Sequence, residues 1–96
     1  MSSIVLTPAQ LEEKKSELAS LSRRLDSQIS DLQSIISILR TVWEGDAADA
    51  FQTRGHEEIR RLADMRDVFN SYIVALDKTI AQYKDTERNN VALANG

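Results

Sequence analysis

The sequence has no cysteine, one proline, three glycines and one histidine. Without cysteine there is no disulfide framework and no thiol site, and the redox compartment cannot be read. The single histidine excludes a pair of imidazoles on one helix face. His56-Glu57-Glu58-Ile59-Arg60 begins like a zinc-protease helix, but Arg60 stands where the second histidine would be needed. His56 therefore reads as a solvated helix-surface residue. Nothing supplies a base for a serine nucleophile, a metal cluster or a glycine-rich phosphate loop. No catalytic, cofactor-binding or metal-binding residue is assigned, and an enzyme is not expected. Charge of one sign is also scarce: 12 Lys and Arg stand against 15 Asp and Glu, a net −3. Arg54, Arg60, Arg61 and Arg66 form a weak basic cluster that neighbouring acids dilute, so nucleic acid is not an expected partner. Long apolar runs are missing, and nothing approaches the roughly 20 residues of a membrane span, so no stable membrane insertion is expected. The first residues, Met1 to Pro8, show no positive n-region, and the apolar run Ile4-Val5-Leu6 is too short for a signal-peptide core. Any export is expected to proceed without a cleavable Sec-type signal.

What is present is a helical repeat. Thr7 suits an N-cap, Pro8 the first helical position, and Gln10 the reciprocal place of a capping box. Leu6 is positioned to staple onto Leu11 across that cap. Leu11, Leu18, Leu25, Leu32 and Leu39 then recur every seventh residue. Ile29, Ile36 and Trp43 follow members of that row by four residues, and Leu21, Ile35 and Val42 by three. No glycine or proline interrupts Ala9 to Glu44, so a helix over about 8–43 should run about 50 Å at ~1.5 Å per residue.

Trp43-Glu44-Gly45, near the chain midpoint, is the expected hinge. Gly45 has no Cβ and takes the left-handed backbone that ends a helix. Asp46 suits the N-cap of a second helix, and Asp49 adds an acid to its first turn. Trp43 places a large ring at the bend, either as a core aromatic or as a recognition residue. The second arm, about 46–87, repeats the pattern with Leu62, Phe69, Leu76 and Tyr83 at heptad spacing. Extended backwards, that row meets Gly55 and Ala48. Gly55 costs about 1 kcal/mol against alanine in a helix, and marks a close approach or a weak point. Ile59, Ile73 and Ile80 follow the row by four, and Phe51, Met65 and Tyr72 by three. Glu57 with Arg61 and Arg60 with Asp64 are spaced as ion pairs on a solvated face. The periodicity fades after Glu87, which predicts a flexible tail over 88–96.

The expected architecture is all-α: a single-domain antiparallel helical hairpin with its turn at 43–45. Each arm carries apolar residues in three heptad positions, more than one hairpin interface can cover. At ~25 cal/mol per Å², a few hundred Å² of further burial contributes several kcal/mol. Chains this small usually need such help. Pairing two hairpins into a four-helix bundle is the simple solution. Leu18, Leu25, Ile29, Leu32, Ile36, Leu62, Phe69 and Leu76 are the expected dimer seam, with a homodimer placed ahead of a heterodimer.

The Trp-x-Gly turn between two helical arms, together with Tyr83-Lys84-Asp85-Thr86-Glu87, resembles the WXG family of early-secreted-antigen-like proteins. The resemblance covers essentially the whole chain. It implies dimeric four-helix bundles exported folded through the type VII (ESX) system, made in the cytoplasm and found outside the cell. It also implies recognition by an FtsK/SpoIIIE-type membrane ATPase. In that family the Tyr-x-x-x-acid segment of one subunit lies near the Trp-x-Gly turn of the other. By this resemblance Trp43 and Gly45 form the turn motif, and Tyr83 and Glu87 the export signal. Two functional classes follow. One is a type VII substrate, virulence- or effector-associated or a carrier dimerised with a larger effector. The other is an intracellular helical adaptor or a heterodimeric chaperone for a larger toxin. An adaptor would not need Tyr83 and Glu87 together with Trp43.

Overall fold

The first helix begins at a closed capping box. The Thr7 hydroxyl accepts from the Gln10 amide at 3.1 Å, and the Gln10 side chain accepts from the Thr7 amide at 2.8 Å. Two amides that a helix start would otherwise leave unpaired are thereby satisfied. In the computed structural model, which describes residues 6–95, α1 then runs over Pro8–Val42 without interruption. The leading apolar residues Ile4 and Val5, and the terminal Gly96, lie outside the described residues. Trp43 leaves the helix in an extended conformation while its amide still donates to the Leu39 carbonyl at 2.9 Å. Gly45 has φ +111°, and nothing stands within 4 Å of where its Cβ would be. Glycine is required there by backbone conformation, not by crowding.

The second helix, α2, spans Asp46–Asn95. The Asp49 amide donates to the Gly45 carbonyl at 3.0 Å, so Gly45 itself is the N-cap. Asp46 is the first helical residue rather than the cap. With Asp49 it still places negative charge beside the positive end of the helix dipole. The helix continues to Asn95 instead of ending near Glu87. Residues 88–95 contain neither glycine nor proline, and once a helix is nucleated each further residue adds one hydrogen bond. The asparagines cost only tenths of a kcal/mol each.

The two helices lie side by side and antiparallel in a body of 76 × 29 × 14 Å, with no strand among the described residues. Their heptad rows meet in one seam. Leu11, Leu25, Ile29 and Ile36 of α1 are buried, as are Ala48 and Ile80 of α2. Leu18, Leu32, Leu39, Leu62, Phe69 and Leu76 are half-buried. At Gly55 the helices approach closely. A Cβ added there would overlap the Cδ1 of Ile36, so Gly55 is a close-approach residue.

Three hydrogen bonds between side chains tie the arms in a single register. The Lys15 ammonium donates to Asp77 at 2.8 Å, the Ser22 hydroxyl to the Asn70 amide oxygen at 2.8 Å, and the Arg66 guanidinium to Asp26 at 2.8 Å. From one bond to the next α1 advances by seven and then four residues, and α2 retreats by the same steps. The carboxylates beside Lys15, Asp77 first and then Glu12, raise its pKa above the ordinary lysine range. Asp26 and then Asp67 do the same for Arg66. Of the pairs expected along α2, Arg61 joins Glu58, three residues back, rather than Glu57. That contact raises the pKa of Arg61 and lowers that of Glu58.

Candidate functional site

At the turn, Trp43 stacks at a tilt on Phe51, with ring centroids 5.6 Å apart and planes at 52°. Its side chain remains 39% exposed. The ring packs on the start of α2 and does not sink into the seam of the hairpin. Its half-exposed ring marks the turn end of the molecule. Close by, the Gln52 side-chain amide donates to the Ile36 carbonyl at 3.0 Å, which ties the first turns of α2 to α1.

At the other end, Tyr83 and Glu87 lie one helical turn apart on α2 and both are exposed, Tyr83 by 47%. They face the start of α1. Leu6, Thr7 and Pro8 share with Tyr83, Thr86 and Glu87 the walls of a hollow of about 310 Å³. The capping box at Thr7 therefore positions one wall, and the straight run of α2 positions the other.

The turn motif and the Tyr83–Glu87 pair are not brought together within one chain. Trp43 closes α1 and the Tyr83 hollow opens it. A helix of 35 residues separates them by about 50 Å at ~1.5 Å per residue. Only a second chain running the opposite way would set one copy's turn beside the other's Tyr83.

The surface available to such a chain is lopsided. Both rows that follow the seam by three residues are exposed: Leu21, Ile35 and Val42 on α1, and Phe51, Met65 and Tyr72 on α2. They share one face, because Leu21 and Met65 line the same hollow of about 640 Å³, floored by Leu25 and Phe69. The rows that follow by four residues close on the other side, with Ile29, Ile36 and Ile80 buried. There the face presents Gln33, Ser37, Arg40 and the solvated His56. The residues expected as a dimer seam, Leu18, Leu25, Ile29, Leu32, Ile36, Leu62, Phe69 and Leu76, are thus used first inside the single hairpin. What remains open is the neighbouring row. Sequence reasoning treated the two flanking rows as one wide stripe. The signal that separates them is polar: Lys15 and Ser22 fall in the row that closes, opposite Asp77 and Asn70.

The model of the family WXG100, proteins of 100 residues with WXG, matches residues 3–88. The chain belongs to the WXG100 family. The match includes the Trp43-Glu44-Gly45 turn, both seam rows and the Tyr83–Glu87 pair. WXG100 proteins are small helical hairpins linked to type VII secretion, secreted as substrates, non-enzymatic and typically dimeric. No curated protein and no solved structure matches the chain. Among the described residues no helix is long and apolar enough to cross a membrane.

Proposed function

We propose that this WXG100 chain is itself a substrate of a type VII secretion system, exported as a folded helical dimer and recognised by an FtsK/SpoIIIE-type ATPase. The observation that carries the reading is the exposure of Tyr83 and Glu87 on one face of α2, in a family linked to that system. A tyrosine and a carboxylate one turn apart offer a ring, a hydroxyl and a charge to a partner. Helix stability does not account for Glu87: no ion pair holds it among the described residues, and with α2 running on to Asn95 it lies more than two turns inside the helix, beyond the reach of the end dipole. The half-exposed Trp43 supports the same reading, since its ring is left open to a partner.

The lopsided surface supports the dimer. A second copy, laid antiparallel on the face of Leu21, Ile35, Met65 and Tyr72, covers apolar area and brings each turn to the other's open end. A homodimer comes first, because that face runs along both arms and is self-complementary in character. The alternative is an intracellular adaptor or a heterodimeric chaperone, in which a larger effector's helical domain takes the same face.

The test is an immunoblot of culture supernatant from cells with and without the ATPase. The wild-type chain is expected outside the cell only when the ATPase is present. The double variant Tyr83→Ala, Glu87→Ala should fold and dimerise, by circular dichroism and gel filtration, yet stay inside. Normal secretion of the folded double variant would show that this segment only ends the seam.

A further inference from the structure

The hollow at the open end contains more than the Tyr83–Glu87 pair. Leu6 and Pro8 form its α1 side, Tyr83 and Glu87 its α2 side, and Thr86 and Asn90 its polar rim. Leu6 is only partly covered, and the Tyr83 ring is half exposed. Glu87 is the only charged side chain among the lining residues. The hollow is therefore an apolar slot with one carboxylate in its wall.

We propose that this hollow seats a basic side chain, an arginine or lysine, of the protein that recognises the chain. Leu6 and Pro8 then belong to the recognition surface as much as Tyr83 and Glu87 do. The proposal rests on the reading of Tyr83 and Glu87 as the export signal, and adds the chemistry of the occupant and the α1 half of the site. The match is one of shape and charge. A long methylene stem lies along Leu6 and Tyr83, while its cationic head meets Glu87 and the face of the tyrosine ring. An acidic occupant would place like charge against Glu87. A wholly apolar one would strip water from that carboxylate without replacing it. The positive end of the α1 dipole opposes a cation, but it amounts to about half a charge against the full charge of Glu87. The α1 wall is also held in place before any partner arrives, because the Thr7 and Gln10 groups are already committed to each other in the capping box. Preorganisation of that kind lowers the ordering cost of binding.

Two measurements decide the matter. In the first, the full chain is titrated with Nα-acetyl-arginine amide and separately with the uncharged isostere Nα-acetyl-citrulline amide, followed by amide chemical shifts. The amides of Leu6, Thr86, Glu87 and Asn90 should move with arginine and not with citrulline, and Glu87→Gln should remove the response. Equal responses to both probes, or none at roughly ten-millimolar concentrations, overturn the proposal. In the second, Leu6→Ser removes the apolar wall, and Asn90→Phe fills the hollow from an exposed helical position that cannot disturb the seam. Each should lower export by about tenfold, equivalent to ~1.4 kcal/mol, with the helical melting curve of Asn90→Phe unchanged. If Tyr83→Ala with Glu87→Ala blocks export while Leu6→Ser and Asn90→Phe are exported normally, the hollow is not the site and the motif reading stands. If the Tyr83, Glu87 double variant is itself exported normally, the motif reading falls, and the titration alone decides what the hollow binds.

Discussion

On one face of the hairpin the row beside the seam is closed. Ser22 is buried and bonded to Asn70, Lys15 reaches Asp77, and Ile29 and Ile36 are covered by α2. On the other face the matching row is open, with Ile35 50% and Tyr72 55% exposed. Both rows arise from the same heptad spacing, yet only one is finished within the chain. A polar pair that spans two helices satisfies itself and leaves nothing for a partner, whereas an apolar side chain is satisfied only when something covers it. Of the two rows that flank the seam, only the one on this second face is therefore left with its apolar side chains uncovered. That asymmetry gives a symmetrical-looking repeat two unlike faces.

The largest effect should come from putting charge on the open face. Ile35→Glu with Tyr72→Glu is expected to leave helicity intact while weakening dimerisation by about a thousandfold in sedimentation equilibrium, since buried unpaired charges are costly. Gln33→Glu with Ser37→Glu, the matched change on the closed face, should leave the dimer within about threefold. Adjacent residues give the next contrast. Ile36, 3% exposed beneath Gly55, should cost about 2–5 kcal/mol as Ile36→Ala in urea denaturation of the monomeric Ile35→Glu, Tyr72→Glu background. Gly55→Leu should cost about 3 kcal/mol from the same contact, seen from the other helix.

Trp43→Ala comes lower. Its ring is only partly covered, so the loss should be about 2 kcal/mol rather than the larger cost of emptying a core site, read from the same denaturation curves. An unchanged melting curve together with unchanged export would deprive Trp43 of both roles. Ser22→Ala should cost about 1 kcal/mol, the net value of one hydrogen bond, because the Asn70 amide can turn to water. The smallest effect concerns Lys15. Its pKa is raised in the folded chain, so its contribution is present at neutral pH and is lost as the pH rises through that raised value. The melting-temperature difference between wild type and Lys15→Met should accordingly shrink in strongly alkaline buffer.

Much of this was legible in the residues. Thr7, Pro8 and Gln10 predicted the capping box, Gly45 the positive φ, and the leucine row the seam. The turn length then fixes the register of the arms, and in that register Lys15 meets Asp77 and Ser22 meets Asn70. Which flanking row closes could have been read from those complementary pairs, but heptad counting weighs apolar positions and ignores polar ones. The cap at Gly45 in place of Asp46 was not legible, since both residues are acceptable N-caps and the choice depends on where α1 leaves its axis. The run of α2 to Asn95 was missed for another reason: fading amphipathicity removes the need to bury a face, not the ability to stay helical. The hollow at Leu6 and Glu87 needed both ends of the chain in one place, which no local pattern contains.

The central claim is that two copies meet on the open face and run in opposite directions, so that each turn reaches the other's Tyr83. The chain lacks cysteine, so Ala47→Cys gives a single site for a spin label at the turn. In an antiparallel pair the two labels stand at opposite ends of the bundle. Double electron–electron resonance on the labelled protein is predicted to give a distance of about 50 Å, the length of α1. A distance below about 25 Å, which places both turns at one end, or the absence of dipolar coupling at concentrations of tens of micromolar, would contradict the account.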